Sequence, residues 1–276
     1  MSETVRMRKY GSIRAFMPTR QSYPTDLTNA RWRLIRDLVP AAKVGPNPTI
    51  HARREIVNAL LYKARSGCSW RLLPNDFPPW KTVSDYFYQW RDDGTWERIT
   101  DALREKVRTR EGRAREPSLG IVDSQTVKSA SGGEAIGYDG NKKTRGRKRH
   151  LVVDVLGLLL ALVVTSAAVM DRDAVPELLH AARAKSARLE KVLVDSAYNG
   201  DVVRRASSET AIVVEMTKRS DIARGFVPEP KRWVVERTFG SLTHSRQLSK
   251  EYDRTTSSSE AWFRIVATSH MLGRLA

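Results

Sequence analysis

An α/β (α+β) architecture, a mixed sheet flanked by helices and preceded by an all-α unit, is what these 276 residues predict. Three observations carry it. Residues 25–110 repeat their apolar positions with helical period, residues 119–216 hold five short β-branched runs, and helical patterns separate the later runs. With 41% hydrophobic residues the chain can bury a sizeable core, and its length suits two domains.

Taken in order, residues 1–24 read as a flexible basic arm ending at Pro24. "TDLTNARWRLIRDLV" offers Thr25 as helix N-cap and Leu27, Leu34, Ile35 and Leu38 as apolar positions, and it stops at Pro40 before the loop "PAAKVGPNP". "TIHARREIVNALLYKARSG" repeats the form, with Thr49 as cap and Gly67 just past the end. "PPWKTVSDYFYQWRDDG" places Val83, Phe87 and Trp90 on one face and closes at Gly94. "TWERITDALREKVR" carries Trp96, Ile99, Leu103 and Val107. Five of the seven tryptophans fall in this part, so residues 25–110 read as a helical unit with its own core. The third helix, its aromatic stripe mostly core, is a candidate recognition helix of a helix-turn-helix type unit, with Lys81, Thr82, Ser84 and Asp85 at its start as the candidates to meet DNA. Residues 111–118, charged and holding Gly112 and Pro117, read as a linker. Residues 119–276 form the second domain. "LGIVDS", "HLVVDV", "LLALVVTS", "KVLVDS" and "AIVVEM" are its strands, and the close pair around "DVLGLL" predicts a hairpin turning at Gly157. "DAVPELLHAARAKSA" and "NGDVVRRASSE" are helices between strands, and two more helices end the chain.

The formal net charge is +17 and the sequence pI is near 10.3. Such self-repulsion is relieved by a polyanion, which makes nucleic acid the leading partner. A membrane is the rival, but the longest apolar run, Val155 to Val164, is too short to span a bilayer and contains Gly157. The first residues hold no apolar stretch of secretory type. The single cysteine, Cys68, excludes an internal disulfide and fits a reducing cytoplasm, where it reads as a small buried hydrophobe.

Two strands end alike, "GIVDSQ" at Asp123 and "VLVDSA" at Asp195. A carboxylate at the carboxyl end of a buried strand faces the crevice where α/β sheets hold ligands, although Asp-Ser can also simply cap the following turn. A third acid sits in "RWVVERTFGSL". Val235, Phe239 and Leu242 form a buried stripe, Glu236 lies beside it, and Gly240 leaves an open side one turn on. The bland alternative for Glu236 is a surface ion pair with Arg232 or Arg237. Converging carboxylates need a cation. Oxygen ligands without clustered Cys or His point to Mg²⁺ or Mn²⁺, and two such ions roughly 4 Å apart serve phosphoryl transfer. Asp154, Asp171 and Asp173 are rival carboxylates: Asp154, mid-run on its strand, is the best substitute ligand, while Asp171 and Asp173 in "MDRDAV" read rather as caps of the next helix. "NKKTRGRKRH", Asn141 to His150, reads as a loop entering a strand. Its Lys142, Lys143, Arg145, Arg147, Lys148 and Arg149 are candidates to track phosphates, against the alternative of a solvated basic loop.

These motifs carry a resemblance. "IVDSQTVKSA", "GYDGNKKTRGRKRHLVVDVLGLLLALVVTSA", "DRDA", "VLVDSAYNG" and "RWVVERTFGSL…SRQLSKEYD" resemble the catalytic half of bacterial insertion-sequence DDE transposases, most nearly the family numbered five. "YPTDLTNARWRLIRDLVP" and "REIVNALLYKARSGCSWRLLPNDFPPWKTVSDYFYQWRDDGTWERI" resemble the helical region before that core, so the similarity runs from about Tyr23 to the C-terminus. The resemblance implies an RNase H-like fold with Asp123, Asp195 and Glu236 as catalytic and metal-binding triad. It implies two Mg²⁺ ions, replaceable by Mn²⁺, and double-stranded DNA as partner, both terminal inverted repeats and target. It also implies a homodimer or higher multimer on DNA. Cleavage at the element ends and transfer of the freed 3′-hydroxyl to target DNA would follow. Arg237, Arg246 and Lys250 stand where the family carries basic residues, and Tyr198 matches its aromatic after the second aspartate. The chain departs from the pattern at Ser241, His244 and Gln247. Two rival functions are a nuclease of the same fold that cuts without joining, and a domesticated DNA-binding protein that no longer catalyses.

Overall fold

The computed structural model describes residues 20–41, 51–130, 132–217 and 233–276. Most of the N-terminal arm, the loop before the second helix and the predicted cap Thr49 lie outside these ranges. Helix α1 (Asn29–Ile35) starts later than its sequence suggests. Asp26 accepts from the Tyr23 amide at 3.0 Å and its own amide bonds the Tyr23 carbonyl, so residues 23–26 turn. The cap is therefore Thr28, whose hydroxyl accepts from the Arg31 amide, and not Thr25. Helix α2 (Arg53–Ser66) ends as expected at Gly67, which adopts φ +67° and bonds back to the Lys63 carbonyl. Helices α3 (Trp80–Asp92) and α4 (Thr95–Arg110) meet at Gly94 and bury the predicted faces, Val83, Phe87 and Trp90 on one, Trp96, Ile99, Leu103 and Val107 on the other. Residues 111–118 are tied down by Arg108, which donates to the Ala114 carbonyl at 2.7 Å, and by Ser118, whose carbonyl accepts from Glu190 and Lys191.

All five predicted strands form, with one addition. They are β1 (Leu119–Lys128), the short β2 (Gly137–Asp139), β3 (Thr144–Asp154), β4 (Leu159–Ser166), β5 (Lys191–Val194) and β6 (Val213–Met216). The sheet runs β4–β3–β1–β5–β6, with β2 extending the same side of β3 as β4. β3 is antiparallel to β1 and β4, whereas β1, β5 and β6 are parallel, so a single long antiparallel strand sits in an otherwise parallel sheet. That order and that one reversal are the RNase H-like arrangement. The hairpin turns at Gly157, φ +77°, as predicted.

Helices α5 (Val175–Lys185) and α6 (Asp201–Thr210) are the crossovers, and α7 (Trp233–Thr243) and α8 (Thr256–Leu275) end the chain. Alternation along the strands sorts the core into two layers. Val122, Val152, Val192 and Val194 face α5 and α6, while Ile121, Leu151, Val153 and Leu193 face the other way. That second layer corrects the picture of a helical unit with its own core. Ile56, Leu60, Phe87, Trp96 and Leu103 belong to one apolar cluster with Ile121, Val235 and Trp262. The Trp262 ring, on α8, stacks on Phe87 with centroids 4.4 Å apart.

The basic stretch is also corrected. Strand β3 begins at Thr144, so "TRGRKR" is strand rather than loop. Arg147 and Arg149 are buried and both pair with Glu251, which leaves neither able to meet phosphate in this arrangement.

Candidate active site

Parallel pairing of β1 with β5 sets the geometry. Ile121 lies opposite Leu193, and two residues further along each strand direction stand Asp123 and Asp195. Both are half-buried. The Asp123 carboxylate accepts from the Ser124 amide at 2.7 Å, and that of Asp195 from the Ala197 amide at 2.8 Å. The turn-capping alternative for Asp195 thus describes one of its oxygens and coexists with a place at the strand end.

Tyr198 is buried beneath them, only 2% exposed. Burial, reinforced by Asp171, Asp123 and Asp195, pushes its phenol far above the ordinary value, so it stays a proton donor. Its buried hydroxyl neighbours that of Ser124, which works in the opposite direction to burial and the carboxylates.

Asp171 was expected to cap α5. It instead leads the short 3-10 turn Asp171–Ala174, which has no side-chain cap, and accepts from the Ser124 hydroxyl at 2.8 Å. Lys148, expected to track phosphate, is mostly buried. Its ammonium lies 3.2 Å from Asp171 and 3.7 Å from Asp139, and donates to the Val169 carbonyl at 2.8 Å. Burial works to raise the Asp139 pKa. Bonds from Thr126 and the Lys142 amide, with Lys148 nearby, nonetheless hold it below the usual carboxylate range. Asp139, Lys148, Asp171, Arg172 and Ala197 line a cleft of roughly 300 Å³ whose rim carries the exposed Tyr138 and Met170. Asp171, a rival carboxylate that the sequence favours as a cap, comes to this end of the sheet because β4 runs parallel to β1 and the segment after it leaves on the same side.

Asp154 is corrected as a rival ligand. It is fully buried, paired with Arg108, and accepts from the amides of Leu156 and Leu158 at 2.9 Å each, which makes it the anchor of the β3–β4 turn. Asp173 stays exposed beside Arg172.

Glu236 is exposed on α7 beside the buried Val235, Phe239 and Leu242, and nothing lies within 4 Å of where a side chain at Gly240 would begin. Arg237, one of its two candidate ion-pair partners, sits over the Trp233 ring at 4.6 Å; the other, Arg232, lies outside the described residues. Helix α7 packs on β1 and β3. Among the described residues no three acidic, histidine or cysteine side chains are gathered to hold a metal ion. The donors themselves, carboxylates at adjacent strand positions without thiol or imidazole, are of the type that suits a hard divalent cation.

The remaining expected DNA contacts divide by exposure. Lys142, Lys143 and Arg145 are exposed, and the Lys142 ammonium reaches within 3.5 Å of the Ser124 carbonyl, beside Asp123. Arg237, Arg246, Lys250 and Lys81 are exposed too, Lys81 pairing with Asp85 at 2.8 Å, and Thr82 is half-buried. Ser84 is corrected: it is buried and donates to the Lys81 carbonyl. Gln247 explains its own departure from the family pattern. It is buried, accepts from Lys63 at 2.9 Å and donates to Asp253 at 3.0 Å, so a cation there would face the buried Lys63 ammonium. Ser241 bonds the Thr238 carbonyl, and His244 is exposed.

Residues 114–272 match the family model described as "Transposase DDE domain", and residues 27–100 match "Putative transposase of IS4/5 family". The chain is 33% identical over 116 residues to the "Putative transposase for insertion sequence element IS402" of Burkholderia cepacia, covering 40% of this chain and 54% of that one. It is 31% identical over 77 residues to the "Uncharacterized protein y4sN" of Sinorhizobium fredii, covering 28% of this chain and 62% of that one. The chain thus spans less than two thirds of the length of either relative. The solved Mos1 mariner paired end complex with Mn aligns over 89% of this chain and 84% of its own at 12% identity, with a TM-score of 0.32. The Mos1 Strand Transfer Complex aligns over 86% and 79% at 13% identity and 0.29. Strand order, and not these slight likenesses, carries the fold. With its sheet, one aspartate within β1 and one just past the end of β5, and more than half its length inside the first of those family models, the chain belongs to the transposase DDE domain family.

Proposed function

We propose that this protein is a DNA transposase that cleaves at the ends of its insertion sequence and transfers the freed 3′-hydroxyl into target DNA. The observation that carries this reading is the placement of Asp123 and Asp195 at matching positions of neighbouring parallel strands, within the segment that matches the DDE family model. Asp123, Asp195 and Glu236 would hold divalent cations, Mg²⁺ or Mn²⁺. Bound there, such ions supply the Lewis acidity that activates an attacking oxygen and stabilises a leaving one. The chain's own side chains do the rest. Asp123 and Asp195 enter the reaction with one oxygen each already fixed by a backbone amide, which limits their reorientation. Lys142, beside the Ser124 carbonyl, offers a cation to a phosphate next to the reacting one, and Lys143 and Arg145 extend that edge. Arg237, Arg246, Lys250, Lys81 and Thr82 are the outlying contacts, and a multimer on paired ends is the working form.

A donor plasmid carrying the element, incubated with Mg²⁺ and either wild type or Asp123→Ala, tests the reading. Joined products that vanish with the substitution are expected. Cleavage without joining would identify a nuclease. DNA binding with neither product, unaltered by the substitution, would identify a non-catalytic binding protein.

A further inference from the structure

We propose that Asp171 is a positioning residue for the catalytic carboxylates, acting through Ser124 on the stretch of β1 that carries Asp123. The inference rests on the reading of Asp123 and Asp195 as metal ligands. Three linked contacts support it. Lys148 sits 3.2 Å from Asp171 and is itself fixed by the Val169 carbonyl, so the Asp171 carboxylate has a set position. The Ser124 hydroxyl donates to that carboxylate at 2.8 Å. The Ser124 amide donates to Asp123 at 2.7 Å. Successive residues of a strand point to opposite faces, so anchoring Ser124 on one face fixes the direction of Asp123 on the other. Bonds of this kind behind a metal-binding carboxylate typically change metal affinity 10–100-fold when removed.

The other roles open to Asp171 fit less well. It caps no helix, because neither the turn it leads nor helix α5 after it has a side-chain cap. Its charge is offset by Lys148 and one oxygen is engaged by Ser124, which suits an orienting group better than a ligand. Tyr198 adds to the same layer, its buried hydroxyl lying in the field of Asp171, Asp123 and Asp195. Lys148 and Asp139 close the layer from beneath the cleft.

The test is Mn²⁺ binding by calorimetry to the full-length protein, comparing wild type with Asp171→Asn, Ser124→Ala, Ser124→Thr and Asp123→Asn. Thermal denaturation and affinity for duplex DNA are read in parallel. Asp171→Asn and Ser124→Ala are each expected to weaken Mn²⁺ binding about tenfold with DNA affinity unchanged, and Ser124→Ala, which keeps the Lys148–Asp171 pair, to leave the melting midpoint unchanged as well. Ser124→Thr, which keeps the hydroxyl, restores the wild-type value. Ser124→Ala leaves the Lys148–Asp171 pair intact and decides the matter if Asp171→Asn does not fold. Mn²⁺ affinity within twofold of wild type in Ser124→Ala overturns the proposal, as does a loss matched by a fall in melting midpoint. Should Asp123→Asn bind Mn²⁺ as wild type does, the metal-site reading itself fails. Loss in Asp123→Asn alone removes only the role given to Asp171.

Discussion

His150 is buried in β3 with its Nε2 2.9 Å from the Thr165 hydroxyl, and burial, aided by Lys148 and Lys142 against Asp171, pulls its pKa down from 6.5 to about 4. Above pH 6.5 the imidazole is neutral whether the chain is folded or not. Between 6.5 and about 4 the unfolded chain takes up a proton that the folded one refuses, so stability falls as the pH drops through that window. The gap corresponds to roughly 3 kcal/mol. Denaturation midpoints measured across it should show a slope that His150→Gln flattens; an unaltered slope in the variant assigns the acid sensitivity to other groups. At the same scale the basic residues of "NKKTRGRK" separate by exposure. Lys142 is exposed and close to Asp123, whereas Arg147 and Arg149 are spent on Glu251. Lys142→Ala should lower the slope of log affinity for DNA against log salt by about one while leaving the melting midpoint alone. An unchanged slope would take Lys142 out of the DNA interface.

Strand β3 is held by more than its ladder. Arg147 donates to the carbonyls of Glu134, Asp253, Arg254 and Thr255, and Arg149 to that of Leu248, so the segment after α7 wraps the strand. Glu251 is the shared counter-charge, 1% exposed, and Ser259 also bonds it at 2.9 Å. Glu251→Gln leaves two buried guanidinium groups short of a carboxylate and should cost about 3–5 kcal/mol, the usual penalty for breaking a buried ion pair. Urea denaturation measures it, and a loss under about 1 kcal/mol would mean that water reaches the cluster. This element shows why legibility in the sequence was uneven. The second half of β3 declares itself by β-branched apolar residues, but the first half is charged because its partners come from a hundred residues away. Gly146 is equally cryptic: a side chain there would begin 1.9 Å from the Val127 carbonyl, a close approach visible only once β1 and β3 pair. The three-residue β2 is too short for any periodicity. Asp123 and Asp195 were legible because strand and acid adjoin in the chain, whereas Asp171 reaches the same end of the sheet through a loop. Thr25 and Thr28 were indistinguishable without the Tyr23–Asp26 turn.

Across the molecule the two regions matched by separate family models share one interior. Helix α8 is the reason. Its Trp262 is fully buried, stacks on Phe87 of α3, lies 5.7 Å from the Trp70 ring and has the Lys63 ammonium 4.6 Å from its face. From its first turns Glu260 accepts from the Val164 amide on the sheet edge. The same helix thus touches the helical region and the sheet, and neither can lose it without exposing apolar surface. The full-length protein should therefore unfold in a single transition, with far-UV dichroism and tryptophan fluorescence coincident. Trp262→Ala should remove about 3–5 kcal/mol and move both signals together. Dichroism and fluorescence changes that do not coincide would mean that the N-terminal helices, which hold five of the seven tryptophans, form a separate cooperative unit. The distinction bears on the proposed chemistry. Helices that bind an element end from a shared core are held in a fixed relation to Asp123 and Asp195, so the scissile phosphate is presented by rigid geometry. Helices on an independent unit would have to find that relation anew in each complex.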